Sequence, residues 1–225
     1  MWRLNMPLYK LQFQLCSAAT FGRGDGVAGL VDQEVEYDAS GLPFLRGRTL
    51  KGLLAEECAN ILFALEVQGR TAGWDTVAQR LFGSPGSTDA EIGLLRVGDG
   101  RLPEALLTAV KAAVAQKDLR AEEVLESLTA IRRQTSMNEG GAPEKGSLRS
   151  TRVILPGTVF ESALEFGEPP DERTLGLLAA CVLAWRRAGT GRNRGRGRLQ
   201  ANLLESNGTE LIQRCFRVFA REVAA

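Results

Sequence analysis

From Leu50 onward, apolar residues recur at threes and fours: Leu50, Leu53, Leu54, Cys58, Ile61, Leu62 and Leu65. That spacing predicts an amphipathic helix ending near Gln68, and a helix of that length needs a broad apolar surface to cover it. Thr49 is the expected N-cap. The first turn is unusual in its charge. A helix N-terminus favours Asp or Glu, yet Arg46, Arg48 and Lys51 crowd this one and the first acid is Glu56. Cations gathered at free backbone N–H groups repel one another unless an anion lies among them, and phosphate is the anion such a place suits.

The flanking segments alternate in the other rhythm. Leu11, Phe13 and Leu15 against Lys10, Gln12 and Gln14 mark a half-buried strand over Leu8 to Ser17. It runs into FGRGDG (Phe21–Gly26), a glycine-rich turn carrying Arg23. GLVDQEVEYD (Gly29–Asp38) sets Val31, Val35 and Tyr37 against Asp32, Glu34 and Glu36, as a strand or an extended arm. Trp74 to Phe82 reads as a short helix stopped by Gly83, SPGSTD as a loop, and Glu91 to Val97 as a second strand. Leu102 to Ala115 and Ala121 to Ile131 carry helical patterns. Arg132 to Arg152 is a long polar loop with Arg132, Arg133, Lys145, Arg149 and Arg152; a loop of that length within one domain is functional or disordered. Gly157 to Phe166 alternates as a third strand. Asp171 caps a helix to Arg187 that Gly189 stops, with Leu175, Leu178, Val182 and Trp185 inward. Leu199 to Leu204 is a fourth strand, and Glu210 to Val223 a closing amphipathic helix. Without the insertions the order is β-α-β-β-α-β, an α+β, ferredoxin-like (RRM-like) palm with helical insertions.

The chain of 225 residues carries a formal net charge of +1, but the charge is segregated. Between Arg23 and Arg46 there are five acids and no base. Between Glu172 and Glu205 there are no acids, and Arg173, Arg186, Arg187, Arg192, Arg194, Arg196 and Arg198 all fall there. Such a division suits a local polyanion contact. Arg192, Arg194 and Arg196 sit in GTGRNRGRGR (Gly189–Arg198), a basic glycine loop. No apolar run reaches the eighteen or so residues of a membrane span. Cys16, Cys58, Cys181 and Cys215 have no paired spacing and read as reduced cysteines of a cytoplasmic protein. There is no histidine. Catalysis by Ser-His or Cys-His pairs is therefore excluded, and any chemistry falls to carboxylates, lysine, tyrosine, a metal or the substrate's own groups.

FGRGDG, GLVDQEVEYD, GLPFLRGRTLKG, LFG at Leu81 and finally GTGRNRGRGRL, in that order, resemble the RAMP superfamily of CRISPR-associated proteins, and within it the backbone subunit of type III effector complexes. The resemblance covers nearly the whole chain as a single domain, 1–225. Where relatives commonly read P-x-I-P-G-S-S-L-K-G, this chain has PFLRGRTLKG, with Arg46 and Arg48 as the added bases. The resemblance implies a ferredoxin-like palm with a protruding thumb at 132–152. Its partners would be a CRISPR RNA, a target RNA and other effector subunits, including related RAMP proteins. It also implies that an aspartate after the first glycine turn cuts target RNA with Mg²⁺ or another divalent cation. Asp32 stands at the matching place, as catalytic residue and metal ligand, with Asp25, Glu34 and Asp38 as local competitors.

Arg23, Arg46, Arg48, Lys51, Arg132, Arg133, Arg149, Arg152, Arg192, Arg194 and Arg196 are the expected RNA-binding residues. Gly47 and Gly52 would let an RNA backbone approach. Two alternatives remain open at this level: a non-cleaving structural RNA-binding subunit of the same complex, and a stand-alone CRISPR RNA-processing ribonuclease.

Overall fold

The computed structural model describes residues 9–71, 73–84, 93–135, 140–141 and 147–224. Glu91 and Ile92 of the expected second strand, most of the SPGSTD loop, and Lys145 with most of the tip of the 132–152 segment lie outside them. Strands β1 (Tyr9–Leu15), β2 (Leu95–Val97), β5 (Val159–Phe166) and β6 (Leu199–Glu205) form one antiparallel sheet in the order β2-β5-β1-β6. Helix α1 (Gly47–Val67) lies between β1 and β2 in the chain, and α5 (Glu172–Ala184) joins β5 to β6. With α1 and α5 the palm reads β-α-β-β-α-β, the ferredoxin-like order. Helix α2 (Trp74–Phe82) follows α1, and α6 (Ile212–Ala224) closes the chain on α5.

Alternation in β1 buries Tyr9, Leu11, Phe13 and Leu15 and leaves Lys10, Gln12 and Gln14 on the other face. Phe13 stacks on Phe160 with ring centroids 5.1 Å apart and meets the edge of Trp185 at 5.0 Å. Such aromatic pairs contribute beyond the area they bury. Trp185 lies one residue past the end of α5, so that helix is three residues shorter than its apolar pattern suggests. Asp171 does cap it, accepting the Thr174 N–H at 2.7 Å. All four cysteines are free; Cys58, Cys181 and Cys215 are buried and Cys16 is exposed. Among the described residues no helix is long and apolar enough to cross a membrane.

Three expectations need correction. The first concerns the start of α1, which is at Gly47 with Arg46 as N-cap and no side-chain cap. Thr49 is already helical. Gly47 occupies this turn because a Cβ there would meet the Val97 carbonyl oxygen at 2.2 Å. Its close approach is thus to the protein's own β2. The second concerns the pattern from Ala121, which divides: α4 (Ala121–Leu128) ends where Thr129 begins β3 (Thr129–Gln134). Third, the polar 132–152 segment is not a free loop. β3 pairs antiparallel with β4 (Arg149–Ile154) in a hairpin, Gln134 opposite Arg149 and Thr129 opposite Ile154. α3 (Glu104–Ala115), α4 and this hairpin are inserted between β2 and β5.

The acidic segment after the glycine turn forms no named strand. It is an extended arm laid along the free edge of β4. The Asp32 N–H donates to Ser150 O at 2.8 Å, and the Arg152 N–H donates to Gln33 O at 3.0 Å.

Candidate nucleic-acid interface

The glycine loop between α5 and β6 is fixed by main-chain bonds to the chain just past β1. Thr190 donates to Thr20 O at 2.9 Å, and Gly197 to Ala18 O at 2.9 Å. At Gly197, φ is +66° and a Cβ would lie 1.8 Å from Ala188 O, so only glycine closes the loop there. A short 3-10 turn, Arg192–Arg194, forms its tip.

Between this loop and the β3–β4 hairpin lies a groove of ≈ 820 Å³. Asp32 and Gln33 from the arm, Gln134, Arg149 and Thr151 from the hairpin, and Arg192, Arg194 and Arg196 from the loop line it. Asp32 is the one acid among these residues. Its Oδ2 accepts the Ser150 N–H at 2.6 Å, which holds the carboxylate against β4. The side chains of Arg149, Arg194 and Arg196 have no hydrogen-bond or ion-pair partner among the described residues. The groove thus carries an excess of unmatched positive charge around one fixed carboxylate, and can hold a sugar–phosphate chain through repeated cations.

A second groove of ≈ 460 Å³ lies on the other side of the loop, between it and α1, lined in part by Phe44, Arg46, Thr49, Gly52, Leu53 and Glu56. Gly189, Thr190 and Arg192 border both. Here the cations are matched. Arg46 donates to Glu36 at 2.6 Å, and Arg192 reaches both Glu56 oxygens at 2.8 and 2.9 Å. The helix start has an anion of its own: Asp99 Oδ1 accepts the Gly47 N–H at 3.0 Å. Burial pushes the Asp99 carboxyl up, but that N–H and the Arg101 guanidinium outweigh it and hold it below the usual carboxylate range.

Of the three-cation collar, only Arg46 lines a groove. At 100° per residue Arg48 and Lys51 lie within 60° of each other and well round the helix from Arg46. Burial lowers the Lys51 ammonium below its ordinary value. Gly52 does face open space, with nothing within 4 Å of its Cβ position.

The other expected contacts separate. Arg152 is a correction: it points inward, 7% exposed, with Nε donating to Glu34 at 2.8 Å and Nη1 to Thr129 at 3.3 Å. Strand alternation explains it, since Arg149 and Arg152 are three apart and take opposite faces of β4. Glu34, 1% exposed, is thereby committed to the interior and is no rival to Asp32. Asp38 is committed as well, accepting the Ser40 and Leu42 N–H groups. Arg23 pairs with Asp25, lies over Tyr37 at 5.7 Å and lines neither groove. Arg132 and Arg133 are exposed on β3. Arg132 stands opposite Thr151 and Arg133 opposite Ser150, so Arg132 shares the groove-lining face and Arg133 does not.

Among the described residues no three carboxylate, cysteine or histidine side chains gather to hold a metal. Asp32 alone fits a cation of the Mg²⁺ kind, which takes one or two carboxylates and completes its shell from substrate phosphates and water. The surrounding arginines oppose such an ion until RNA phosphate neutralises them.

An antiparallel palm in this order, with a hairpin and a glycine-arginine loop bordering one basic groove, defines a ferredoxin-like protein. The chain belongs to the RAMP superfamily, whose match spans residues 13–200. No curated protein matches the sequence. Many solved chains share the fold, among them two from Cmr-beta complexes. A chain of the type III-B Cmr-beta complex in its apo state superposes with a TM-score of 0.62 at 14% identity, over 88% of this chain and 98% of that one. A chain of the same kind of complex bound to cognate target RNA gives 0.61 at 14%, over 87% and 96%.

Proposed function

We propose that this protein is an RNA-binding backbone subunit of a type III CRISPR effector complex. It holds guide RNA in the arginine groove and cuts paired target RNA at Asp32. The observation that carries the reading is the placement of one pinned carboxylate, Asp32, in a groove with Arg149, Arg194 and Arg196. Its likeness in fold to chains of Cmr-beta complexes, one of them bound to target RNA, supports the setting.

RNA brings its own nucleophile. The 2′-oxygen attacks phosphorus, the bond to the 5′-oxygen breaks, and the departing 5′-oxygen takes a proton from water, giving a 2′,3′-cyclic phosphate and a 5′-hydroxyl. Asp32 Oδ2 is held by Ser150, which leaves Oδ1 to orient the 2′-hydroxyl and accept its proton. Arg149, Arg194 and Arg196 hold the guide backbone and, beside Asp32, offset charge as it gathers on the reacting target phosphate. A divalent cation held by Asp32 would add further charge relief at that phosphate.

Asp32→Asn keeps an acceptor for the Ser150 N–H and removes the base. In an assembled complex it should bind guide normally and slow target cutting by about 10²-fold or more. Cutting at the wild-type rate would remove Asp32 from the chemistry. The second reading, a non-cleaving structural subunit, is favoured by the bond from Ser150, which gives Asp32 a structural task in docking the arm. It predicts a wild-type complex that binds guide and target without cutting at this subunit. A stand-alone processing ribonuclease would act without partner subunits.

A further inference from the structure

Arg186, Arg187 and Arg198 line a third cavity, which shares no residue with the Asp32 groove. It measures ≈ 660 Å³, and its walls include Cys16, Trp185 and Gln200. Not one of its lining residues is acidic. Arg186 and Arg198 have no side-chain partner among the described residues, while Arg187 donates to the Arg192 carbonyl at 3.1 Å. The α5 dipole accounts for cations at Arg186 and Arg187, two and three residues past its C-terminus. It does not account for Arg198, which enters from the end of the glycine loop, one residue before β6. The backbone of Arg198 is structural, accepting from Cys16 and Ser17 and donating to the Ser17 hydroxyl at 2.9 Å; its side chain is left free. Three exposed guanidiniums facing one concavity repel each other unless an anion joins them.

We propose that this cavity is a second phosphate-binding site, which takes the backbone of the single-stranded RNA after it has crossed the glycine loop from the Asp32 groove. The proposal rests on the RNA-binding reading above and extends it to a surface outside the two grooves. Two features make the occupant a nucleic acid strand. The Arg187–Arg192 bond joins a residue of this cavity to one of the Asp32 groove, so a chain leaving one can meet the other. Beyond it, a smaller cavity lined by Gln12, Gln14, Gln200 and Asn202 continues along the open face of the sheet, sharing Gln200 and Ala201 with the arginine cavity. Gln12 donates to Glu161 and Gln14 to the Gly157 carbonyl, each at 3.1 Å, which leaves Gln200 and Asn202 as the amides beside the guanidiniums; together they match a strand's phosphates followed by its base edges and sugar hydroxyls. Among the described residues no aromatic side chain supplies a stacking platform on that face, so length and not base identity should set the affinity.

Cys16 provides the probe, since it lines this cavity and the other three cysteines are buried. Oligouridylates of about 6 and about 24 nucleotides bracket a site confined to one groove and one that continues past the loop. With wild-type protein the long oligomer should bind more tightly and slow maleimide labelling of Cys16 several-fold, and the short one should leave labelling unchanged. Arg186→Gln with Arg198→Gln should abolish the protection and the gain from length. It should also make the salt dependence of long-oligomer binding shallower by about 1.4, about 0.7 for each lost phosphate contact, while short-oligomer binding stays at the wild-type level. Cys16 labelled at an undiminished rate under saturating long RNA would overturn the proposal. So would a double variant that binds long RNA normally, including one that fails only in joining partner proteins, which would mark the cavity as a protein contact. The proposal also falls if wild-type protein binds neither oligomer, but that result removes the RNA-binding reading itself. Loss of binding in an Arg194→Gln, Arg196→Gln variant alone leaves that reading intact.

Discussion

The two grooves beside the glycine loop share Arg192 and differ in how their charges are met. In the α1 groove each cation has an acid: Glu36 for Arg46, Glu56 for Arg192, and Asp99 for the helix N-terminus. In the hairpin groove Arg149, Arg194 and Arg196 face one carboxylate. A basic segment in a sequence therefore indicates a ligand only when the fold withholds its partners. The collar at α1 looks more cationic along the chain than the hairpin does, yet Arg46, its one member in the groove, is neutralised by Glu36. Strand β4 repeats the contrast over three residues, with Arg149 open to the groove and Arg152 locked to Glu34.

The contrast can be broken most forcefully at that ion pair. Glu34→Gln leaves Arg152 buried without its acid, and removing one member of such a pair costs about 3–5 kcal/mol. Urea unfolding should show a loss of that size, whereas Arg149→Gln should unfold as wild type does. Next in size is the hairpin groove itself. Arg194→Gln with Arg196→Gln should make the salt dependence of RNA binding shallower by about 1.4, counting two phosphate contacts, as fluorescence anisotropy across a salt series would show. Arg46→Gln should change that slope by less than half as much, because its guanidinium is already occupied by Glu36; an equal change would make the two grooves equivalent. Mg²⁺ should leave the melting temperature of RNA-free protein unmoved, since Asp32 alone holds no ion against the arginines. A clear rise would reveal a preformed metal site.

The smallest effect concerns pH. The folded-state Asp99 carboxyl titrates below its ordinary value of about 3.9, so the stability it adds is present above that value. It is lost as pH falls through the lowered one. Asp99→Asn should therefore have a shallower acid limb in its stability profile, with the neutral region little changed.

Much of the palm was legible in the chain because period and punctuation agreed. β1 announces itself by strict alternation, α2 by Trp74 and Gly83, and α5 by its Asp171 cap. The hairpin was not, because Arg132–Gln134 and Arg149–Arg152 are polar: β3 and β4 are held by main-chain pairing to each other and to the arm, which leaves no apolar rhythm in the sequence. Thr49 misled because the anion at the start of α1 comes from Asp99, 52 residues past Gly47. In the candidate site, Asp32, Arg149, Arg192, Arg194 and Arg196 line one groove, whereas the sequence suggested that the glycine-loop arginines act with the α1 collar. Arg152 and Glu34 carry the same charges and face inward, and pairing across 118 residues leaves no local signal. Arg186, Arg187 and Arg198 were visible as charge, but only the third cavity joins them into a site.

The central claim is that the hairpin groove, and not the α1 collar, grips the RNA. Its most direct test is photocrosslinking of 4-thiouridine RNA to the wild-type protein, with the crosslinked peptides mapped by mass spectrometry. Crosslinks should fall within 149–151 and 189–196. Crosslinks confined to 46–53, or no RNA retained even at low ionic strength, would contradict the account.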